Sequence, residues 1–255
     1  MRGWWRELAG LVLPVDCAGC GAARAALCGG CRAALSGAGA GCVRPCAAPA
    51  GLPAVYAAAA YGGAVRGVVL AHKERGALPL AGVLGTALAG AVRAAAPGCA
   101  GELALIPVPS ARRRTRARGH DPARRIALAA SARLRRAGVP ARVAPVLRLR
   151  RQVADQSGLG ARERKTNLAG ALEVPRDGVK LLLSGAAAAQ GDGLARPRIL
   201  LVDDIVTTGA TLAEAARAVR AAGLGPVAAA AVVAAPADSF GRGDLVRNPD
   251  RPKNL

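Results

Sequence analysis

The residues best suited to chemistry in this chain lie in residues 198–211, which read RILLVDDIVTTGAT. Residues 199–202 have the length and β-branched character of a buried parallel strand. Two acids, Asp203 and Asp204, follow, and then a turn of small and hydroxyl-bearing residues leads into a helix. Free backbone N–H groups at a helix N-terminus suit a phosphate, and carboxylates beside it make sense if they face hydroxyl groups or Mg²⁺. The residues predicted to hold the phosphate are Thr207, Thr208, Gly209, Ala210 and Thr211.

The helix after this turn has its own sequence signals. Thr211 and Glu214 have the spacing of a capping box, in which each side chain satisfies a backbone N–H group of the first turn. Apolar residues then recur at helical spacing until Gly223, which lies where a glycine ends a helix. The segment as a whole predicts a strand, an acidic edge, an anion-binding turn and a helix, as expected for a sugar-phosphate site.

Seven cysteines are an odd number, which counts against a closed set of disulfide bonds. Four of them have the spacing Cys-x2-Cys-x7-Cys-x2-Cys, which in a cytosolic chain predicts tetrahedral Zn²⁺ coordination by four thiolates. These four are Cys17, Cys20, Cys28 and Cys31. A third pair, Cys42 and Cys46, could share this metal, replace one of the pairs or hold a second half-site. The alternative is a reduced thiol cluster or a redox pair.

The rest of the chain must position these groups, and its pattern predicts an α/β fold. Strands and helices alternate along residues 51–235, which implies a parallel sheet flanked by helices on both faces. Ligands of such sheets bind beyond the carboxyl ends of the strands, where Asp203 and Thr207 fall. The predicted strands are residues 55–60, 102–107, 142–147, 167–174, 199–203 and 227–234. The predicted helices before residue 200 are one that starts at residue 64 and runs toward 76, residues 78–93 and residues 122–136.

Three regions are predicted along the chain. Residues 1–50 hold an N-terminal helix and a cysteine-rich, zinc-ribbon-like module, and residues 51–235 form the α/β domain. Residues 236–255 are a polar tail that we expect to be disordered. Residues 148–166 are basic and lack periodicity, so we interpret them as a mobile loop. Residues 181–183 are a candidate strand start, followed by a loop of small residues up to 193.

Composition limits the classes of function. Hydrophobic residues make up 52% of the chain but aromatic residues only 2%, so the core must be aliphatic. The net charge of +20 permits binding of nucleic acid or phosphate, although abundant Ala, Gly, Arg and Pro also indicate a GC-rich coding sequence. No apolar run reaches about 18 residues, and Glu7 and Asp16 interrupt a weak signal-like start. We therefore expect a cytoplasmic protein without a membrane span.

The motifs occur in the order found in the ComF family, and the chain resembles that family over about residues 14–235. ComF proteins are amidophosphoribosyltransferase-like and join a double zinc ribbon to a type I phosphoribosyltransferase-like domain. In this chain, His120 and Asp121 replace the family's aromatic-Asn pair, and the third cysteine pair has the spacing x3 rather than x2. The resemblance is carried by the cysteine pairs, residues 72–76 (HKERG), 107–109 (PVP) and 118–121 (RGHD), the set Gln156, Leu159, Arg164 and Asn167, and residues 203–211.

The resemblance implies Mg²⁺-dependent transfer of a phosphoribosyl group from 5-phosphoribosyl 1-pyrophosphate (PRPP) to an unidentified acceptor, with release of pyrophosphate. The protein would then be a pentosyl glycosyltransferase of nucleotide metabolism. Asp203 and Asp204 would hold the ribose hydroxyl groups and offset the positive charge that develops on the ring. Lys73, with Arg75 as the second choice, would hold pyrophosphate. Further pyrophosphate contacts or lid residues would be Arg118, Gln156 and Arg164.

A second hypothesis is a non-enzymatic adaptor for the uptake or handling of single-stranded DNA, with a vestigial or regulatory PRPP site. It is motivated by the net charge, the zinc module and the association of the ComF family with natural competence. The basic residues 112–118 are the candidate contact with DNA phosphates, and the lack of interleaved aromatic residues predicts non-specific binding. A DNA-uptake helicase or a second copy of the chain would be the protein partner.

Overall fold

The computed structural model of the protein describes residues 16–46, 48–99, 101–110, 115–116, 118–151, 168–187 and 196–241. Within these ranges the helices are α1 (Gly29–Ala33), α2 (Gly63–Glu74), α3 (Ala81–Ala95), α4 (Pro122–Arg136), α5 (Arg176–Ala187) and α6 (Ala210–Ala221). The strands are β1 (Gly41–Val43), β2 (Val55–Ala60), β3 (Leu103–Pro107), β4 (Ala141–Val143), β5 (Arg148–Leu149), β6 (Leu172–Glu173), β7 (Arg198–Ile205) and β8 (Ala229–Ala235). Short 3-10 helices lie at Leu78–Leu80 and Ala237–Ser239.

Six strands form the main sheet in the order β1-β2-β8-β7-β3-β4. The five strands β2, β8, β7, β3 and β4 are parallel to one another, and β1 pairs antiparallel with β2 at one edge. Strands β3 and β8 are buried along their whole length. This burial explains their uninterrupted apolar sequences, because a parallel sheet is covered on both faces. Strands β5 and β6 form a separate antiparallel pair.

Alternate residues of each strand face two different helical layers. In β7, Leu200 and Val202 pack with residues of α3 and α4, whereas Ile199 and Leu201 pack with residues of α6. The period of two follows from the pleat of the strand. The predicted α/β architecture, a mostly parallel sheet flanked by helices, is thereby confirmed at this level.

The alanine-rich layer of α3 and α4 is packed closely. A Cβ atom placed on Gly85 of α3 would lie 2.5 Å from the Cβ of Ala129 in α4, so the two helices touch at the backbone. By length and composition alone, Leu78–Ala95 is the one described segment that could cross a membrane, with a mean hydropathy of 1.5. However, 61% of this segment is buried in the protein, where α3 contacts β2, β8 and α4.

Most predicted elements are confirmed with small shifts of their ends, and three predictions are wrong. The strand predicted at 142–147 ends at Val143, since Pro145 has no backbone N–H group to continue the pairing. The strand predicted at 167–174 is only Leu172–Glu173. Residues 181–183 lie inside α5 rather than in a strand, with Leu182 buried and both neighbours exposed.

Several predictions fall on residues that lie outside the described ranges. These are the N-terminal helix, most of the basic loop 148–166, and the tail beyond residue 241. At the near end of the predicted tail, Phe240 is buried and bridges to Val43 of β1. Residues 41–43 of the predicted cysteine module therefore form the edge strand of the main sheet, and the segment after β8 packs against it.

Candidate functional site

The two acids lie within the last residues of β7, at the carboxyl edge of the sheet. Asp204 is buried and Asp203 is half-buried. Asp203 Oδ1 accepts a hydrogen bond from the backbone N–H of Asp204 at 2.8 Å, and Asp204 Oδ1 accepts one from the N–H of Ile205 at 2.9 Å. Each carboxylate is therefore oriented by the backbone of the residue after it.

A lysine from a distant helix completes this acidic edge. Lys73 lies in the last turn of α2, and its Nζ atom is 2.7 Å from Oδ2 of Asp204. The side chain of Lys73 is 27% exposed and that of Asp204 only 6%. The ion pair is therefore accessible to solvent on its Lys73 side and buried on its Asp204 side. The sequence prediction named both residues, and the structure brings them into contact.

The charges at this edge shift one another's protonation. Burial and the adjacent charge of Asp204 raise the pKa of Asp203 well above its usual range. Burial by itself lowers the pKa of Lys73, but the charges of Asp204 and Asp203 outweigh it and the net pKa is raised. The edge thus combines a firmly protonated lysine with two carboxylates that repel each other, an arrangement that favours a cation or hydroxyl donors beside them.

The turn after β7 has the geometry of an anion-binding helix N-terminus. Gly209 is the N-cap of α6 with φ of 77°, a left-handed conformation that glycine adopts without strain. A Cβ atom at this position would also lie 2.7 Å from the side chain of Leu52. The first bond of the helix runs from the N–H of Ala213 to the carbonyl of Gly209. The N–H groups of Thr211 and Leu212 therefore have no acceptor within the helix.

The predicted capping box is wrong, and Glu214 has a different role. Thr211 lies inside the helix rather than at its N-cap, and no side chain caps the helix through Gly209. Buried Glu214 instead accepts hydrogen bonds from the backbone N–H of Leu172 at 3.1 Å and from Arg217 at 2.8 Å. Arg217 Nη2 donates to the carbonyl of Leu172 at 2.9 Å. This pair, the Glu214–Arg217 clamp, fixes β6 to α6.

The segment after β3 contacts the end of α2. Arg118 donates to both carboxylate oxygens of Glu74, with Nη2 2.6 Å from Oε1 and Nε 3.0 Å from Oε2. His120 Nε2 is 3.2 Å from the carbonyl oxygen of His72, and its Nδ1 is 3.1 Å from the carbonyl oxygen of Arg118. His72 is fully buried, with its ring centroid 5.5 Å from that of His120, and burial lowers its pKa.

The other residues predicted to bind pyrophosphate are not seen at the acidic edge among the described residues. Arg75 Nη2 donates to the carbonyl of Gly67 on its own helix at 3.3 Å, so it contacts neither acid. Gln156 and Arg164 lie outside the described residues. Among the predicted pyrophosphate ligands that the structure describes, only Lys73 reaches the acid pair. The sequence does not predict the partner of Arg118, because Glu74 lies 44 residues away in the chain.

The four predicted metal ligands come together near the N-terminus. The Sγ atoms of Cys17, Cys20, Cys28 and Cys31 all lie within 4.8 Å of one another, and among the described residues no other group of His, Cys, Asp or Glu has this geometry. The backbone N–H of Cys28 donates to Cys17 Sγ at 3.3 Å. This bond, with one from Cys20, lowers the pKa of the Cys17 thiol to about 6.

The cluster fits a tetrahedral thiolate site for a structural metal such as Zn²⁺. Two Cys-x2-Cys turns contribute two sulfur atoms each, and a backbone N–H already favours the thiolate form of Cys17, which metal binding requires. Burial raises the pKa of Cys31, which a bound cation would counteract. Cys42 and Cys46 are exposed and lie outside this cluster, so the structure does not assign them to it.

The cysteine cluster packs directly on the helix that carries Lys73. A Cβ atom on Gly67 of α2 would lie 2.6 Å from the carbonyl oxygen of Gly19 and 2.8 Å from that of Ala18. One on Gly19 would lie 2.7 Å from Cys31 Sγ. Only residues without a side chain permit this approach, and no sequence motif marks either glycine.

No protein-family model matches this chain, and no curated protein matches it either. The geometry itself defines what the site can bind. A lysine, two carboxylates and the turn that begins α6 lie at one edge of a parallel sheet. Such an edge can hold a ligand that carries a phosphate, hydroxyl groups and a second anionic group close together.

Proposed function

We propose that the chain is a PRPP-binding, phosphoribosyltransferase-like protein that transfers a phosphoribosyl group to an acceptor and releases pyrophosphate. The observation that carries the proposal is the contact of Lys73 Nζ with Asp204 Oδ2 at 2.7 Å, next to Asp203 and the turn at Gly209. This contact places a cation, an acid pair and an anion-binding turn together. The resemblance to the ComF family supplies the identity of the ligand.

Each part of PRPP has a counterpart among these residues. In the proposal, residues 207–211 hold the 5′-phosphate through N–H groups and hydroxyls, and Asp203 and Asp204 accept hydrogen bonds from the ribose hydroxyls. Lys73 binds the pyrophosphate. Because positive charge builds on the ribose and negative charge on the leaving group, the two acids and the lysine stabilise opposite ends of the transition state. Such chemistry depends on positioning and charge more than on a strong base.

The residues present fit a Mg²⁺ ion that arrives with the ligand. Proteins hold Mg²⁺ with one or two carboxylates and leave the other positions to water and substrate phosphates. Asp203 and Asp204 would hold the ion, and a bound cation would counteract the burial and the adjacent charge of Asp204 that raise the pKa of Asp203. When bound, Mg²⁺ would supply charge neutralisation of the pyrophosphate group. The cysteine cluster would hold Zn²⁺ in a structural role.

Isothermal titration with PRPP and Mg²⁺ tests the proposal. We expect binding by the wild-type chain and at least about tenfold weaker binding by Asp203→Asn, which loses a charged hydrogen-bond acceptor. Asp238→Asn is the matched control, because Asp238 is an exposed acid outside the site and its removal should leave the affinity unchanged. An absence of heat with wild-type protein, or equal affinities of the wild type and Asp203→Asn, would contradict the proposal.

A second candidate function, binding of single-stranded DNA, is favoured by one specific feature. A groove of about 430 Å³ lies between residues 36–38, α3 and α4, and Arg93, Arg133 and Arg136 line it. All three arginines are exposed, and none forms an ion pair in the described part of the chain. Much of the basic run 112–118 lies outside the described residues. The groove is therefore the surface on which this hypothesis can be tested.

Binding of a single-stranded oligonucleotide such as oligo(dT), measured at several salt concentrations, tests this candidate. Removing three phosphate contacts in Arg93→Ala/Arg133→Ala/Arg136→Ala should weaken binding and reduce the slope of log K against log salt by about 2. The control is Arg66→Ala/Arg176→Ala/Arg220→Ala, which removes the same charge from exposed positions outside the groove. Equal losses in both triple variants would show that only the overall charge matters and would contradict a groove-specific site.

A further inference from the structure

We propose that Arg118 and Glu74 are positioning residues for Lys73, and that Arg118 is not itself a ligand of pyrophosphate. The fork between Arg118 and Glu74, together with the contact of His120 on His72, fixes the last turn of α2 so that Lys73 reaches Asp204. We call this set of contacts the α2 brace. Its consequence for PRPP rests on the proposed function, but the positioning itself does not require a ligand.

The first half of the α2 brace is a two-point ion pair. Arg118 uses Nη2 and Nε toward the two oxygens of Glu74 at 2.6 and 3.0 Å. The side chain of Arg118 is only 12% exposed, whereas that of Glu74 is 45% exposed. A two-point fork fixes the relative orientation of both groups, which a single contact does not. A phosphate ligand would have to displace Glu74 before it could engage the same two nitrogen atoms.

The second half of the α2 brace acts on the backbone. His72 lies two residues before the end of α2, where the carbonyl groups have no N–H donor within the helix. The Nε2 atom of His120 lies 3.2 Å from this carbonyl oxygen and can donate to it. His72 and Glu74 are the two sequence neighbours of Lys73, so the segment Arg118–His120 holds the chain on both sides of the lysine.

The position of Lys73 explains why such a brace matters. Arg75 after the helix has a non-helical φ of −105°, and Gly76 has φ of 67°, so α2 stops immediately beyond Lys73. Helix ends fray, and a lysine side chain loses considerable rotamer freedom when it is held in one ion pair. Fixing the last turn from outside reduces the disorder that the Lys73–Asp204 contact must overcome.

The two roles for Arg118 predict opposite effects of removing the charge of Glu74. If Arg118 were a pyrophosphate ligand, Glu74→Gln would free its guanidinium and strengthen PRPP binding. If Arg118 positions Lys73, Glu74→Gln weakens binding about as much as Arg118→Gln, and the double variant is little worse than either single one. Glu74 is itself an anion and cannot bind pyrophosphate, so weaker PRPP binding by Glu74→Gln would report the loss of positioning rather than the loss of a ligand contact.

The reactivity of the Lys73 amine provides a measurement without any ligand. The chain has four lysines, and Lys180 is exposed and belongs to α5 rather than to the site, which makes it an internal reference. Reductive dimethylation of the full chain, followed by peptide mass spectrometry, gives the rate at Lys73 relative to Lys180. In Glu74→Gln we expect this ratio to rise by about threefold, the effect of weakening one partly exposed ion pair. In Arg118→Gln we expect a smaller rise, because the charge of Arg118 lowers the pKa of Lys73 and its loss makes the amine less reactive.

Two further variants separate positioning from general damage. Arg116→Gln removes a neighbouring exposed arginine and should leave the Lys73 ratio unchanged. The charge-swapped pair Glu74→Arg/Arg118→Glu should return the ratio toward the wild-type value, and circular dichroism melting confirms that each variant is folded. An unchanged ratio in both Arg118→Gln and Glu74→Gln overturns the proposal, as does tighter PRPP binding by Glu74→Gln. If wild type binds no PRPP, the proposed function fails while the labelling ratio still decides the positioning role.

Discussion

At the scale of single residues, the acid pair illustrates how groups suited to ligand binding can lower the stability of the folded protein. Asp203 and Asp204 are adjacent in β7, yet only Asp204 contacts the lysine directly. Asp203 is left half-buried beside a second carboxylate, and burial and that neighbour raise its pKa. Functional groups held in unfavourable surroundings cost stability that the rest of the fold supplies. Replacing Asp203 should therefore stabilise the protein while weakening ligand binding.

The first prediction concerns Asp203→Asn and its pH dependence. Because the folded-state pKa of Asp203 is raised, the folded chain binds more protons than the unfolded chain above pH 3.8, and stability falls as pH rises toward the folded pKa. Asp203→Asn removes this penalty. We expect it to unfold about 2–4 °C higher than wild type at pH 8, the effect of about 1 kcal/mol. Differential scanning fluorimetry from pH 5 to 9 should show the difference growing with pH.

The control for this prediction is Asp204→Asn, which weakens the ion pair with Lys73 and should lower the melting temperature. The same direction of change in both variants would contradict the assignment of opposite roles to the two acids. A difference for Asp203→Asn that shrinks as pH rises would show that its pKa is not raised.

At the scale of elements, helix α6 connects the turn at Gly209 with the β5–β6 pair. Its N-terminus follows Gly209, and the Glu214–Arg217 clamp one turn later binds both backbone groups of Leu172. Burial by itself raises the pKa of Glu214, but hydrogen bonds from Arg217 and from the backbone N–H of Leu172 outweigh it and the net pKa is lowered. The β5–β6 pair is thus fixed to the same helix whose N-terminus is proposed to hold the phosphate.

The second prediction is that Glu214→Gln destabilises the protein by about 1.5–3 kcal/mol at pH 7, because charged hydrogen bonds at a buried site are lost. The folded pKa of Glu214 is depressed, so its contribution is present above the unfolded value of 4.5 and is lost as pH falls through the folded pKa. Urea unfolding at pH 7 and at lower pH should show the difference from wild type shrinking in acid.

Glu173→Gln is the matched control for Glu214→Gln. Its carboxylate pairs with Arg150 at 3.8 Å, and both side chains are largely exposed, so its removal should change the free energy of unfolding by less than about 0.5 kcal/mol. An equally small effect of Glu214→Gln would mean that the Glu214–Arg217 clamp does not hold β6 in place.

At the scale of the whole molecule, the cysteine cluster and the α/β sheet share one packing arrangement. Leu35, which follows the cluster, is fully buried in the same core as α3. The turn at Gly19 touches α2 at Gly67, and α2 ends at Lys73 and the α2 brace. The cysteine cluster is therefore connected to the candidate active site by a single helix, and disruption of the cluster should affect structure beyond the cysteine module.

The third prediction is that the chain binds about one Zn²⁺ through Cys17, Cys20, Cys28 and Cys31, the number expected for one tetrahedral site of four thiolates. Metal analysis by ICP-MS should find no bound zinc in Cys17→Ser/Cys28→Ser. Because a ligand that binds only the folded state adds stability, this variant should also melt at a lower temperature than wild type. The control, Cys42→Ser/Cys46→Ser, should retain the metal and the melting temperature. Loss of zinc in Cys42→Ser/Cys46→Ser alone would show that Cys42 and Cys46, rather than Cys17 and Cys28, bind the metal.

The sequence by itself determined the local features of this protein. The strand that ends in Asp203 and Asp204, the turn at Gly209 and the spacing of the four cysteines are set by neighbouring residues. Short-range backbone conformation and metal-ligand spacing depend on few residues, so they can be read along the chain. The alternation of strands and helices also predicted the parallel sheet, since both-face burial produces continuous apolar strands.

Only the tertiary structure decided which partners the charged groups take. Lys73 contacts Asp204, Arg118 is held by Glu74, and Glu214 binds the backbone of Leu172 instead of capping its own helix. These partners lie far apart in the chain and meet because the apolar faces of their helices and strands pack in one arrangement. The packing decides which polar groups become partners, and the spacing of residues along the sequence does not predict these partners.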